Sequence, residues 1–245
     1  MQEVAIPTPD GDARAYTFHP EGKGPWPAVI FFMDAPAIRP ALFQMCERLA
    51  SNGYFVLLPD MFWRAGPYEP INMAEAFKDE EARRAIFGKF MASTDPVRST
   101  RDTGAFLDWL ATQPEVKGDK VGVTGYCMGG GLSLRAAGEF PDRVVASAGF
   151  HGGRLATDAP DSPHLLAPKM RARVYIGGAI EDQSFPDDMK QRLEQALTQA
   201  GVDHRIETYQ AKHGWVFHDT SVYDAAAAER HWRSLGDLFE AKLKQ

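Results

Sequence analysis

Val121-Gly122-Val123-Thr124-Gly125-Tyr126-Cys127-Met128-Gly129-Gly130-Gly131 reads as a buried strand that stops at a glycine-flanked cysteine and passes into a helical pattern. A Gly-x-nucleophile-x-Gly corner between strand and helix needs small residues on both sides, because the backbone folds tightly around the central residue. Gly125 and Gly129 fill those positions, with Cys127 between them where a serine is commoner. The glycines also leave the backbone N–H of Met128, at the start of the helix, free to face a developing oxyanion. Glycine-rich corners of this kind also cradle phosphates. Here, however, the lysine and Ser/Thr of a P-loop are missing and the glycines lack the GxGxxG spacing of a dinucleotide site. The stretch is therefore read as a nucleophile elbow carrying a thiol.

Working outward, the flanking chain alternates strand and helix patterns. Glu3 to Pro7 and Ala13 to His19 flank the turn signal Pro9-Asp10-Gly11-Asp12 and predict an antiparallel hairpin. Continuous apolar runs at Ala28 to Met33 and Tyr54 to Asp60 predict strands covered on both faces, separated by a helix from Ile38 to Asn52 that Gly53 caps. After the elbow, strands are predicted at Arg143 to Phe150, Arg173 to Gly178 and His204 to Tyr209. The helices that go with them are Val97 to Leu110, Gly130 to Glu139, Asp187 to Ala200 and Ser221 to Lys242. This order predicts an α/β fold: one domain over residues 1–245, with a mostly parallel sheet of about seven or eight strands and helices on both faces. Residues 61–96 break the rhythm with Phe62, Trp63, Tyr68, Phe77, Phe87 and Phe90 mixed among arginines. That insertion reads either as a lid or cap segment or as an amphipathic cover for the sheet edge.

A thiol at such a corner needs a base to ionise it and an acid to orient that base. Both follow in the order nucleophile, acid, base. Asp182 lies just past the strand ending at Gly177-Gly178, and His213 follows the last strand in Ala211-Lys212-His213-Gly214-Trp215. Cys127, Asp182 and His213 all fall at carboxyl ends of strands, where sites on parallel sheets collect. Glu181 and Asp60 compete for the acid role, and His151, which also ends a strand, competes for the base. His19, His164, His204, His218 and His231 read as surface or structural residues. Cys46, on a helical stretch, reads as a small buried apolar residue.

Composition narrows the function further. The 245 residues are 44% hydrophobic and 24% charged, with a formal net charge of -6, which suits a compact soluble domain and argues against a nucleic-acid surface. No leader or membrane span is predicted, so a cytoplasmic protein without membrane partners is expected. The cysteines and histidines lack short metal-ligand spacing, and neither a metal nor another cofactor is expected.

The chain resembles the dienelactone hydrolase family of α/β-hydrolases. The likeness rests on the apolar strand before Asp34, Gly53-Tyr54 leading to Leu58-Pro59-Asp60, the elbow from Gly125 to Gly130, Asp182 with Pro186, and His213-Gly214. It implies a Cys127, Asp182 and His213 triad that hydrolyses a small-molecule ester or enol-lactone, with the protein a monomer or homodimer. It further implies an acidic residue touching the resting thiol, here Asp34 in place of the usual glutamate, and a second oxyanion-hole N–H from Ala35. The family grips a substrate carboxylate with arginines, one of them four residues after the histidine. Here that residue is Phe217, and the second arginine corresponds to Arg83 or Arg84. An aromatic wall of Trp215 and Phe217 implies a larger or more apolar ester, although both rings also suit plain core packing. Two other functions fit the same residues: an acyltransferase, and a ligand-binding or redox-sensing module in which Cys127 is modified without turnover.

Overall fold

The structure, a computed structural model, describes residues 1–69, 71–76, 78–91 and 94–244; the side chains at 73, 74, 83 and 86 are outside it, as is Phe77. Strands β1 (Gln2–Thr8) and β2 (Gly11–Phe18) form the predicted hairpin, closed by a bond from the Thr8 hydroxyl to the Gly11 carbonyl at 2.7 Å. The chain continues through β3 (Trp26–Phe32), α1 (Pro40–Ser51), β4 (Phe55–Pro59), α2 (Met73–Ala76), α3 (Glu80–Met91), α4 (Pro96–Ala111), β5 (Val116–Tyr126) and α5 (Met128–Glu139). It ends with β6 (Val144–Phe150), β7 (Arg173–Gly178), α6 (Asp187–Gln199), β8 (His204–Thr208) and α7 (Ala225–Leu243).

Eight strands make one sheet in the order β1-β2-β4-β3-β5-β6-β7-β8, antiparallel at the β1-β2 and β2-β4 pairs and parallel from β4 onward. The apolar runs read from the sequence are its centre: every residue of β4, and every residue of β3 from Ala28 to Phe32, is buried. Strand β8 closes one edge with charged, half-exposed residues, as expected of a strand with one unpaired side. Helix α4 starts at a proline and is capped by Asp95, whose carboxylate accepts from the N–H groups of Val97 (2.9 Å) and Arg98 (3.0 Å); such a cap contributes about 1 kcal/mol.

Residue parity along β5 assigns the covering helices. Side chains three apart on a strand point to opposite faces. Gly122 makes room on one face for Phe239 and Leu243 of α7, and Gly125 makes room on the other for the first turn of α5. No helix among the described residues is long and apolar enough to cross a membrane.

In the 61–96 insertion, Phe62, Tyr68 and Phe90 pack as one aromatic cluster, with Phe62 and Phe90 centroids 4.9 Å apart. Arg64 pairs with Asp10 and with buried Asp102, which fastens the start of the segment to β1-β2 and α4. Two local features differ from the sequence reading. Strand β5 begins at Val116 rather than Val121: Val116 is buried and pairs with Trp26, but the exposed Lys117, Asp119 and Lys120 follow it before the register resumes at Val121, so no continuous hydrophobic pattern marks the start. The β6-β7 connection holds a short 3-10 helix, Pro163–Lys169, with a proline at each end of its run.

The elbow depends on two close approaches. A Cβ on Gly125 would lie 1.8 Å from the Gly129 carbonyl oxygen, and a Cβ on Gly129 would lie 2.5 Å from that of Phe32 and 2.6 Å from that of Met33. Both obstacles are backbone and cannot swing aside. Gly236 in α7, by contrast, has open space around it. Alanine gains about 0.5–1 kcal/mol over glycine inside either helix, so the two sites differ only in what a methyl group meets. Gly129→Ala should lower the melting temperature by about 3–10 °C, the effect of a few kcal/mol of overpacking in a chain this long, and Gly236→Ala should leave it level or raise it by about 2 °C. Circular dichroism melts of the two variants check this.

Candidate active site

Cys127 follows β5 directly, half-buried at φ 54° and ψ -118°, a backbone conformation that non-glycine residues rarely adopt. It is held there by its N–H donating to the Phe150 carbonyl (3.2 Å) and its carbonyl accepting from the Gly130 N–H (3.1 Å). Met128 is the first residue of α5, and no side chain caps that helix, so its N-terminus is open toward the sulfur.

Asp182 sits on the turn after β7. Its Oδ1 accepts from both the N–H (2.9 Å) and the hydroxyl (2.6 Å) of Ser184, and its Oδ2 faces His213 Nδ1 at 2.8 Å. A carboxylate only accepts, so Nδ1 carries the hydrogen and Nε2 is left for the thiol. Burial alone would push the Asp182 carboxyl up, but the hydrogen bonds from His213 and Ser184 bring it down to about 2. Burial would likewise lower the His213 imidazole. The Asp182 bond, followed by hydrogen bonding and charge from Cys127, raises it to about 10 instead. The structure thus brings Cys127, His213 and Asp182 together around one imidazole.

The competing residues are exposed, engaged elsewhere or buried without a partner. Glu181 is exposed on a left-handed residue, φ 53°. Asp60 is fully buried but is used by Arg14, the Phe62 N–H and the Tyr68 hydroxyl. His151 lies against His213, ring centroids 4.8 Å apart, yet it is 1% exposed, neither ring nitrogen has a partner, and burial first, then the charge of His213, pushes its pKa well down. It is a neutral neighbour with no acid to orient it. His231 is a satisfied structural histidine, bonded to the Tyr126 hydroxyl at 2.8 Å. Cys46 is completely buried, which drives its thiol well up.

Asp34 follows β3 with Ala35 beside it, and Ala37 closes their turn with its N–H on the Asp34 carbonyl (3.1 Å). Both Asp34 carboxylate oxygens accept from Arg39, at 2.5 and 3.0 Å. The short aspartate side chain, expected to touch the resting thiol, is held in a bidentate ion pair with Arg39. Burial pushes its carboxyl up while Arg39 pulls it back toward the charged form. Removing either partner of such a pair costs about 3–5 kcal/mol, because the other charge stays buried. Arg39 also reaches Asp219 through Nε (2.7 Å) and lies over the Phe217 ring at 4.7 Å.

The expected substrate contacts fare differently. Arg84 is 78% exposed and pairs with Glu80 one turn away, so it does not join the triad, and the Arg83 side chain is outside the described residues. Trp215 and Phe217 are buried, at 0% and 1% exposure. Trp215 stacks on Tyr209, and Phe217 packs edge-on to Tyr126 and His151, so the two rings form the floor behind His213 rather than an open wall. Among the described residues no cluster of three His, Cys, Asp or Glu side chains is arranged to hold a metal.

The sequence reading missed Ser184, Arg39 and Asp219. Ser184 had a signal, since Asp-x-Ser is a turn in which the aspartate accepts from two residues on. Arg39 and Asp219 are 180 positions apart and had none.

Comparison with known proteins agrees with the fold. The model of the dienelactone hydrolase family matches residues 13–243. A Synechocystis sp. protein with the provisional name carboxymethylenebutenolidase is 30% identical over 247 residues, covering 98% of this chain and 96% of its own. A dienelactone hydrolase-like promiscuous phosphotriesterase from metagenomic libraries is 26% identical with a TM-score of 0.80, over 98% of this chain and 97% of its own. A provisionally named dienelactone hydrolase of Klebsiella pneumoniae shares the fold, with a TM-score of 0.84 at 23% identity and 97% coverage of both chains.

The raised His213 pKa has a consequence for stability. A histidine lifted from 6.5 to about 10 on folding stabilises the protein fully below pH 6.5, and that contribution is lost as pH rises through about 10. Between those limits the melting temperature of the wild type should fall faster with pH than that of His213→Ala. Parallel thermal melts from pH 6 to 10 test it.

Proposed function

Because the chain belongs to the dienelactone hydrolase family and is a hydrolase of carboxylic esters or lactones, we propose that it works through Cys127 as nucleophile, His213 as acid and base, and Asp182 as the residue that fixes the imidazole. The observation that carries this reading is the His213 imidazole, hydrogen-bonded to Asp182 at 2.8 Å on one side and coupled to Cys127 on the other. A histidine raised to about 10 keeps the proton that Nε2 takes from the Cys127 thiol, and so stands as an imidazolium during the attack.

The thiolate attacks the carbonyl carbon, and the resulting oxyanion is bound by the N–H groups of Ala35 and Met128. His213 passes its Nε2 proton to the departing alkoxide, leaving a thioester on Cys127. Acylation also removes the thiolate, and with it two of the influences that keep His213 protonated. The imidazole can now take a proton from water, the hydroxide adds to the thioester, and collapse releases the acid and restores the thiolate. Asp182 holds Nδ1 throughout.

The substrate this reading favours is an uncharged ester or lactone. An arginine carries five N–H donors, and those of Arg39 are taken by Asp34, Asp219 and the Ala37 carbonyl in five contacts, so it has none for a substrate carboxylate. The enzyme acts on small molecules in the cytoplasm, as a monomer or homodimer.

Cys127→Ala should reduce kcat/KM on p-nitrophenyl butyrate by at least about a thousandfold, and Asp182→Asn by on the order of a thousand to ten thousandfold. Stopped spectrophotometric assays read both, and wild-type turnover by Cys127→Ala would refute the nucleophile. The same assay on a p-nitrophenyl succinate half-ester should give a kcat/KM at least about tenfold below that of the neutral ester, as one uncompensated charge predicts.

A further inference from the structure

The acyl transfer needs two loops kept in register. The turn after β3 carries the Ala35 N–H, the loop after β8 carries His213, and neither is regular secondary structure. Arg39 spans them. It lies just before α1, with its own carbonyl accepting from Leu42 and Phe43 at the start of that helix, so its backbone is anchored to a rigid element. From there its guanidinium returns to the turn, gripping both oxygens of Asp34 (2.5 and 3.0 Å) and the carbonyl of Ala37 (3.3 Å), a non-glycine residue at φ 70°. Its other edge grips Asp219 (2.7 and 3.4 Å), and its face covers the Phe217 ring.

The Asp219 side is itself tightly built. Phe217 N–H donates to the Gly214 carbonyl at 3.2 Å, next to His213, and the Thr220 hydroxyl donates to the carbonyls of Phe217 (2.9 Å) and Gly214 (3.3 Å). A continuous series of bonds therefore runs from Asp34, adjacent to Ala35, through one guanidinium to the residue after His213. At 8% exposure, with its donors consumed, Arg39 is neither a surface ion pair nor a ligand for substrate.

We propose that Arg39 is a positioning residue for hydrolysis: by clamping Asp34 and Asp219 together it fixes the oxyanion donor at Ala35 against the loop that carries His213. This rests on Cys127 as nucleophile and Ala35 as oxyanion donor. Lysine at this position keeps the charge but has no planar fork to hold two carboxylates at once, so it restores only part of the effect. The clamp also gives Asp34 a fixed duty beside the oxyanion turn.

The test separates oxyanion stabilisation from thiol reactivity. Turnover of p-nitrophenyl butyrate develops an oxyanion; alkylation of Cys127 by iodoacetamide displaces iodide at a saturated carbon and develops none. Loss of one oxyanion donor costs about a hundred to a thousandfold, so a displaced donor in Arg39→Met should lower kcat by about ten to a hundredfold. KM should stay within about threefold and the alkylation rate within about twofold of wild type, since ground-state binding and the thiol are untouched. Asp219→Asn and Arg39→Lys should fall between wild type and Arg39→Met. Amide hydrogen exchange over residues 33–38 should quicken in the same order. Should Arg39→Met not fold, the two milder variants decide by the same criteria. Unchanged kcat with unchanged exchange overturns the proposal, as does equal loss of turnover and alkylation, which would place the damage at the thiol and imidazole. If Cys127→Ala retained full activity, the reading of the site would fall instead, and exchange over residues 33–38 alone would decide the clamp.

Discussion

The close contact between the end of β5, the first turn of α5 and the end of β3 is the constraint on which the site depends. Gly125 and Gly129 approach neighbouring carbonyls so nearly that no Cβ fits at either position. That approach forces the intervening residue into the left-handed conformation of Cys127 and lifts its sulfur to the carboxyl edge of the sheet. It also sets Met128 at the start of an uncapped helix beside the turn after β3. The strain at Cys127 persists because packing on three sides leaves the chain no other path.

Around that sulfur the charges are apportioned rather than merely gathered. Asp182, held by Ser184 and His213, is ionised far below neutral pH, and its charge supports the imidazolium. The floor behind the imidazole is Trp215, Phe217 and a neutral His151, so no second cation competes there for the proton. The other buried carboxylate near the site, Asp34, is neutralised by Arg39, which shares itself with Asp219. Phe62, Tyr68 and Phe90 add an aromatic cluster after β4, fixed at its start through Arg64.

The legible parts of this arrangement are those written locally. Apolar runs marked β3 and β4, glycine spacing marked the elbow, and chain order with strand ends marked Asp182 and His213, because each of these signals lies within a few residues of the feature it predicts. An exposed stretch such as Lys117 to Lys120 leaves no such trace, so β5 was read five residues short at its start. Nor does a long-range ion pair. Nothing around Arg39 or Asp219 announces a partner 180 residues away, and the pairing of Asp34 with Arg39 was equally unmarked. Trp215 and Phe217 were visible as aromatics beside the histidine, but whether they faced substrate or core depended on packing that no local pattern records.

The central claim is that Cys127 carries the acyl group during turnover. It is tested most directly by quenching the enzyme in acid while it hydrolyses p-nitrophenyl butyrate, then mapping the acylated peptide by mass spectrometry. The account predicts one butyryl group per chain, attached as a hydroxylamine-sensitive thioester to the peptide bearing Cys127, with buried Cys46 unmodified. An acyl group on any other side chain, or steady turnover through the same quench with Cys127 never acylated, would contradict it.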